Sequence, residues 1–421
     1  MLKNIKMDQI IFYLLFIFVL ALFSAVFALS LFKIVNSWTF SQAHTNYFNG
    51  YVKRGLFGTL MLFTEQKTNI SAKKIFSIFF IILTTTNIIL FFLLIKKYIK
   101  NYLLFIFLAL NPSLILFQFN DLGGYQRFDS LSIFLILFHS LIAFNVSVER
   151  MTIKAYERNL YFMIFPLFTI FLFIHEIIAF SLFFHVFLTY KTIKKENKKN
   201  ILSYIFLCIP IIFILIFPEN NSAIISLKEL ANERELFFEA INYAGTYSSI
   251  KSYIAELKKN FLIPYNVIIH FFFIFIATLP LTLVLIYLKK NKYIKLNKLD
   301  LLISAFILAP YLCSFAIGDM GRWISLISFT SLGIFSKYEL LKKISNPCFA
   351  NYNYTKKVIY VIILLKVFIL CFFIRLPHCC NLQEKKITIW GGISYKLFAF
   401  TRILNRDDND FYNINKRFKD Y

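Results

Sequence analysis

Four short stretches of this 421-residue chain place charged side chains between long apolar runs. They contain Lys53 and Arg54, Arg127 and Asp129, His175 and Glu176, and Asp319 with Arg322 and Trp323. Arginine binds phosphate and diphosphate groups through a planar fork of donors. Histidine and carboxylate side chains can take a proton from a hydroxyl. Together the stretches hold the residue types needed to move a group from a diphosphate to a hydroxyl.

The apolar runs around these stretches predict an all-α, polytopic transmembrane protein. The chain is 59% hydrophobic and only 16% charged, whereas soluble domains carry about 25% charged residues. Strand-sized alternation of apolar and polar residues is absent, which argues against a β-barrel. We predict about eleven spans, near residues 10–35, 75–95, 102–118, 131–148, 160–174, 177–190, 201–217, 266–288, 301–317, 324–336 and 358–374.

Nothing in the chain indicates a domain boundary, so residues 1–421 are predicted to form one membrane domain. It includes a long loop at 218–264 and a tail at 375–421. Apolar residues at helical spacing predict interfacial helices near 56–63 and 226–240. The run at 177–190 is short enough to be a half-span.

Lysine-rich loops alternate with the charged stretches described above. The cluster at 191–199 is the strongest of these loops. The positive-inside rule places such loops, and the N-terminus, in the cytoplasm. All four charged stretches are then predicted at outer span ends, facing one site. The net charge of +24 belongs to the cytoplasmic loops and does not indicate nucleic acid.

Each charged group also has a purely structural interpretation. Arg54 could anchor lipid headgroups or form an internal salt bridge. Arg127 and Asp129 could form an internal ion pair. His175 and Glu176 could cap the ends of two spans, or act as base and orienting group.

The last stretch has the same two kinds of interpretation. Asp319 and Arg322 share a helix face and could pair with each other. Glycines on both sides of Asp319 permit a turn and the close approach of a ligand. Trp323 fits an interfacial aromatic belt or a platform for a sugar ring.

Other candidate residues lack partners in the sequence. His139, His185 and His270 lie inside apolar runs, and we assign them no function. The six cysteines have no metal-ligand spacing, and His175-Glu176 lacks the second histidine of a zinc site. We therefore expect neither a metal nor a cofactor.

The motifs YVKRGLFG, QRFD, HE and GDMGRW, in a phenylalanine-rich, many-span chain, resemble the Wzy-type polymerases of O-antigen and capsule repeat units. The resemblance covers the layout of most of the chain. It implies the inner membrane of a bacterium, an outward-facing site, and a glycan carried on undecaprenyl diphosphate as substrate. It also implies chain-length regulator and flippase proteins as partners, besides the lipid bilayer.

The mechanism that this resemblance implies transfers a growing glycan to the terminal hydroxyl of a new lipid-linked repeat unit. From their chemistry, Lys53, Arg54, Arg127 and Arg322 are candidates to bind the diphosphate, and Trp323 to contact sugar. Candidate bases or orienting groups are His175, Glu176, Asp129 and Asp319.

Two other functions fit the same pattern. The chain also resembles the GT-C glycosyltransferases, which use polyprenyl-monophosphate sugars. Its first outer loop, 36–64, lacks the acidic residue expected in that family. A flippase for lipid-linked oligosaccharides is the non-enzyme alternative, although transporters more often show repeats and charges at the membrane midplane.

Overall fold

The computed structural model describes residues 7–32, 37–98, 102–111, 113–119, 126–193, 199–217, 219–236, 241, 303, 307–308 and 320–336. Within these ranges the chain is helical and contains no strand. Its helices are α1 (Met7–Phe32), α2 (Ser37–Gln42), α3 (Gly55–Thr68), α4 (Ala72–Ile95), α5 (Tyr102–Ala109), α6 (Asp129–Ser147), α7 (Ile153–Asn159), α8 (Phe165–Ile174), α9 (Leu182–Thr192), α10 (Lys199–Leu202), α11 (Ile205–Ile216), α12 (Asn221–Glu233) and α13 (Met320–Ser336).

Three helical stretches in this part of the chain are long and apolar enough to cross a membrane. They are Ala72–Tyr98, Asp129–Ser147 and Ile153–Ile174, and two shorter apolar stretches are Phe12–Ala21 and Ile205–Ile214. The all-α prediction is confirmed for the described residues, and these helices have the length and composition of membrane spans. The predicted spans at 266–288 and 358–374, nearly all of 301–317, and the tail at 375–421 lie outside the described residues.

A continuous third span over 102–118 is wrong. Helix α5 ends at Ala109, and Ile115–Phe119 forms a separate 3₁₀ turn. Between them the Asn111 carboxamide oxygen accepts hydrogen bonds from the amide (2.9 Å) and hydroxyl (2.8 Å) of Ser113. Pro112 has no amide hydrogen to donate, so the side chain of Asn111 stabilises a turn where the helix would otherwise continue.

Helix α6 lies at the centre of the bundle, against α4, α9 and α13. The Asn87 carboxamide of α4 donates to the Ser130 carbonyl near the start of α6 (3.0 Å). The Lys97 ammonium, just beyond the end of α4, lies 4.8 Å from the Phe144 ring near the end of α6. Helices α4 and α6 therefore run in the same direction.

Helix α13 also runs parallel to α6. Arg322 in its first turn meets Asp129 of α6, and about three turns further along Gly333 meets Ser140. A Cβ at Gly333 would lie 2.5 Å from the Ser140 hydroxyl and 2.7 Å from the Phe184 ring. Small residues at this seam let the two backbones approach closely, as helix pairs in membranes require.

A chain of buried polar side chains crosses the interior of the bundle. The Nδ1 atoms of His139 and His185 are 2.8 Å apart, and Nε2 of His139 lies 2.7 Å from the Tyr156 hydroxyl. That hydroxyl lies 3.0 Å from Thr189, which in turn lies 2.7 Å from the Tyr204 hydroxyl. The Tyr204 hydroxyl donates to the His185 carbonyl (3.1 Å). Each of the five residues is at most 3% exposed.

This network explains two histidines that had no partner in the sequence pattern. His139 belongs to α6 and His185 to α9, so only helix packing brings them together. Polar groups in an apolar interior must satisfy one another because water does not reach them. The network thereby determines how α6, α7 and α9 pack against each other.

We expect Tyr156→Phe to lower the free energy of unfolding by about 1–2 kcal/mol, because it leaves His139 Nε2 without its hydroxyl partner. The measurement is thermal or denaturant unfolding of the purified full-length protein in detergent. Tyr161→Phe is a matched control, because the Tyr161 hydroxyl contacts Ser203 at an exposed position (2.9 Å) and its loss should cost less than about 0.5 kcal/mol. Equal losses in the two variants would contradict the structural role of the network.

Candidate functional site

The strongest polar contact in the site joins Arg54 to Glu176. Arg54 Nε donates to one carboxylate oxygen (2.6 Å), and Nη2 donates to the other. Two parallel bonds of this kind fix the orientation of the guanidinium as well as its position. The Arg54 side chain is 11% exposed and that of Glu176 is 32% exposed, so the pair lies at the edge of the buried interior. Of the two structural interpretations of Arg54, the internal salt bridge is present.

The backbone of Arg54 is in the left-handed region, with φ 62° and ψ 15°. This conformation costs a non-glycine residue about 1 kcal/mol, so the surrounding contacts must hold it. Gly55 begins α3 directly afterwards, and a Cβ at this position would overlap the Tyr47 ring. Close packing of that ring on Gly55 therefore fixes the turn from which the Arg54 side chain extends.

A second segment clamps the loop that leads to Arg54. The Lys53 amide donates to Oε1 of Glu219 (3.1 Å), and the Asn220 amide donates to the Tyr51 carbonyl (3.0 Å). Gly50 has φ 126°, and a Cβ there would lie 2.7 Å from the Asn220 side chain. The sequence alone does not indicate a role for Glu219 and Asn220, because only the tertiary structure brings the start of the 218–264 loop beside residues 50–53.

The predicted amphipathic helix near 226–240 corresponds to α12, which begins and ends earlier than expected. Its apolar face packs on Val52, and the residues involved are Ala223, Leu227 and Ala231. Just beyond its end, Arg234 donates to Glu65 of α3 (2.7 Å). The helix thus packs on the loop between α2 and α3 and is also bonded to α3 itself.

His175 has an extended backbone conformation and lies between α8 and the 3₁₀ segment Glu176–Ser181. Its Nδ1 atom accepts a hydrogen bond from the Ile177 amide (3.2 Å) and lies 3.9 Å from Glu176 Oε2. An accepting Nδ1 carries no proton, so the neutral ring carries its proton on Nε2. The predicted capping role of His175 is therefore confirmed. The run at 177–190 forms this 3₁₀ segment followed by α9.

Electrostatics favour a neutral His175 beside an ionised Glu176. Burial lowers the pKa of His175 well below 6.5, and the positive charges of Arg54 and Arg322 lower it further, although the Glu176 charge opposes them. Burial by itself would raise the pKa of Glu176, but the Arg54 charge, the hydrogen bonds from Arg54 and the other nearby groups together outweigh burial and bring that pKa well below its usual range. Glu176 is consequently a carboxylate, and His175 can donate through Nε2.

Asp129 and Arg322 form a second, looser pair at the starts of α6 and α13. Arg322 Nε lies 3.4 Å from Asp129 Oδ2. The guanidinium carbon of Arg322 also lies 5.4 Å from the centre of the Trp323 ring. A carboxylate in the first turn of α6 is stabilised by the helix dipole. The Asp129 side chain is 8% exposed.

Trp323 does not occupy the position that either sequence interpretation gave it. It is 3% exposed, and its ring centre lies 5.3 Å from that of Phe180. A belt residue or a sugar platform needs an exposed ring face, which the buried Trp323 ring does not present here. The residue instead packs α13 against the 3₁₀ segment that begins at Glu176.

The two ion pairs belong to one cluster. The centre of the Phe128 ring lies 6.0 Å from that of His175, and Asp129 follows Phe128 directly. The charges of both Arg54 and Arg322 act on His175. The expectation that the four stretches come together is met for the residues that the structure describes.

The cluster lies beside the middle of α4 rather than beside its end. Phe128 contacts Phe80 (5.4 Å between ring centres), and Ser130 accepts from Asn87. At 1.5 Å per residue, Phe80 and Asn87 lie about 12 and 22 Å along α4 from Ala72. The sequence predicts these charges at span ends, whereas the residues on either side of Asp129 lie beside the middle of α4.

The remaining candidate residues from the sequence are Lys53, Arg127 and Asp319. Lys53 is buried at 8% exposure, and its amide is the group bound by Glu219. Arg127 is half-buried, and its carbonyl accepts from the Ser130 amide (3.0 Å) at the start of α6. Asp319 lies outside the described residues. In the part of the chain that the structure describes, no group of three or more His, Cys, Asp or Glu side chains could hold a metal ion.

No protein-family model, curated protein or solved structure matches this chain. A proposal for its function must therefore rest on the arrangement of its own residues.

We expect the stability of the protein to fall as the pH drops from about 6.5 to 5. The folded-state pKa of His175 lies below 6.5, so in this range the unfolded chain binds a proton that the folded protein excludes. The slope from one such histidine is at most about 1.4 kcal/mol per pH unit. The measurement is the unfolding temperature of the purified protein as a function of pH.

His175→Asn isolates this effect, because an asparagine oxygen can still accept the Ile177 amide but does not titrate. The variant should lose less stability than wild type over the same range. Burial also lowers the pKa of His44, to about 4. Because His44 is present in both proteins, its contribution to the pH dependence cancels in the comparison. Identical pH profiles would mean that His175 is charged or exposed in the folded protein.

Proposed function

We propose that this protein is a membrane glycosyltransferase that polymerises polyprenyl-diphosphate-linked oligosaccharide repeat units of a surface polysaccharide. The observation that carries the proposal is the cluster itself. Two arginine–carboxylate pairs and a buried histidine come from four separate stretches of an apolar helical chain. Charged groups in such an interior are costly and usually functional. The sequence motifs that resemble Wzy-type polymerases are the same four stretches.

The arginines provide positively charged donors that would stabilise the negative charge of the leaving diphosphate. Arg54 has its fork of donors held in place by Glu176, and Arg322 presents a second guanidinium from the start of α13. An incoming diphosphate would share these donors with the carboxylates and gain charge stabilisation as the glycosidic bond breaks. Lys53 and Arg127 extend the positive charge around the same loops.

The acceptor hydroxyl needs a base, and we assign this role to Asp129, which lies 3.4 Å from Arg322. Glu176 is engaged by both bonds from Arg54, and His175 has its accepting nitrogen bound to the Ile177 amide. In the proposed step, the acceptor oxygen bonds to the anomeric carbon while its proton moves to Asp129. The bond from that carbon to the diphosphate breaks, and the electron pair leaves with the diphosphate. His175 orients a substrate oxygen through its Nε2 proton, and Asp319 remains a further candidate base.

The site should face away from the cytoplasm of a bacterial inner membrane. A reporter fused within 218–264 should therefore report an extracytoplasmic location, and one fused within 191–199 a cytoplasmic location. The lysine-rich loops motivate this orientation. The reverse result would place the arginines on the cytoplasmic side, where the positive-inside rule expects them. Their location would then not indicate a functional site.

Deletion of the protein should leave single repeat units on the cell surface and abolish long chains. The measurement is the ladder of surface glycan lengths. A flippase would give a different result, because its deletion would strand the units inside and display none. A GT-C transferase would use a polyprenyl-monophosphate donor, so a membrane assay that compares the two donors identifies it.

Arg54→Lys tests whether the fork geometry matters in this reaction. The variant keeps the charge but loses the paired donors, so we expect at least a tenfold loss of chain extension at normal protein levels. Arg234→Lys is the matched control, since Arg234 also pairs with a glutamate but lies outside the cluster. If both variants extend chains like wild type, Arg54 does not bind the diphosphate.

A further inference from the structure

Tyr51 contributes a shielded hydroxyl to the loop before Arg54. The residue is half-buried in the loop before Arg54, and its hydroxyl oxygen is shielded from solvent. That oxygen has no hydrogen-bond partner among the described residues. Burial raises the pKa of Tyr51 to about 12, and the nearby negative charges of Glu219 and Glu176 contribute to the shift. The hydroxyl is therefore neutral, and the charges of two carboxylates act on it.

The ring of Tyr51 is held from two sides. Its centre lies 6.1 Å from that of Tyr47 in a stacked arrangement, and 5.2 Å from that of Phe213 in an edge-to-face arrangement. The backbone is also fixed. The Tyr51 carbonyl accepts a hydrogen bond from the Asn220 amide, and the Lys53 amide donates to Glu219. The position of the hydroxyl is thus set by its surroundings.

A phenylalanine at position 51 would keep both ring contacts and both backbone bonds. A buried hydroxyl without a partner costs about 1–3 kcal/mol relative to a paired one. A buried polar group without a partner in a folded protein calls for an explanation, such as a functional role or a bound water or ion. The hydroxyl therefore makes folding less favourable than phenylalanine would, and a bound ligand would compensate for it.

We propose that Tyr51 and Glu219 form a subsite for a neutral sugar residue of the lipid-linked substrate. A sugar hydroxyl can accept from the Tyr51 hydroxyl and donate to a carboxylate at the same time. The Glu176 charge is paired with Arg54, but the negative charge of Glu219 acts on Tyr51 and disfavours an anion at its hydroxyl, so we assign a neutral sugar as the occupant. The Glu176 charge acts on Tyr51, and Glu176 binds Arg54, so the proposed sugar and diphosphate positions share Glu176 as a neighbour. This inference rests on the proposed function and adds the sugar contact to it.

The test is Tyr51→Phe in the full-length protein, purified in detergent. One measurement is the unfolding temperature without ligand, and the other is the affinity for a neutral repeat-unit oligosaccharide by calorimetry. The oligosaccharide is released from the surface polysaccharide of the source strain and carries neither lipid nor phosphate. We expect an unfolding temperature equal to or above that of wild type, together with about tenfold weaker binding.

Two further variants make the result specific. Glu219→Gln keeps an oxygen for the Lys53 amide but removes the charge that would accept a sugar hydroxyl most strongly, so it should also weaken binding. Tyr190→Phe removes a hydroxyl from a residue that is 51% exposed on α9 and should change neither measurement. A folded Tyr51→Phe protein that binds the oligosaccharide like wild type would overturn the subsite.

Other outcomes are equally decisive. If Tyr51→Phe unfolds at a clearly lower temperature, the hydroxyl has a structural partner and the inference fails. If the variant weakens binding of inorganic diphosphate as much as that of the oligosaccharide, the site binds anions and the inference fails. The affinity measurement does not depend on polymerisation. A protein that binds the oligosaccharide through Tyr51, while its deletion leaves chain length unchanged, would keep the subsite and overturn the polymerase.

Discussion

The ion pair between Arg54 and Glu176 is the contact on which the rest of the site depends. It joins segments that are 122 residues apart in the chain, at the start of α3 and the end of α8. A partly buried guanidinium without its carboxylate would lose several kcal/mol of compensation. The left-handed turn at Arg54 and the clamp by Glu219 and Asn220 both hold the arginine where its partner can reach it.

Paired charges also explain how an apolar bundle tolerates this cluster. Arg54 with Glu176 and Arg322 with Asp129 are two pairs of opposite charge, and His175 is neutral, so these five groups carry no net charge together. A neutral cluster costs less to bury than separate ions.

Helix α6 connects the cluster to the core of the bundle. Its first turn carries Asp129, and His139 and Ser140 further along meet α9 and α13. In lipid, apolar side chains gain little by leaving their surroundings, so close backbone approach and internal hydrogen bonds hold helices together. The glycine at position 333 and the buried histidine network are both contacts of this kind.

The sequence by itself determined the helices and the identity of the charged residues. Apolar runs of sufficient length predict spans because hydrophobicity and helix length are local properties, and the stretches at Ala72–Tyr98, Asp129–Ser147 and Ile153–Ile174 agree with three of them. The amphipathic helix α12 followed from apolar spacing in the same way. The break near Asn111 did not, because the turn depends on a side-chain hydrogen bond that competes with the helix.

Only the tertiary structure decided which residues meet. The sequence left open an ion pair between Arg127 and Asp129, whereas the contact of Asp129 with Arg322 of another helix (3.4 Å) was not indicated by it. Trp323 was expected at a surface and is buried, and His139 and His185 had no partners until α6 and α9 packed together. The use of Glu219 against Lys53 and the depth of the cluster along α4 could not be inferred either. Pairing of this kind follows from the relative position of helices, which no single stretch of sequence encodes.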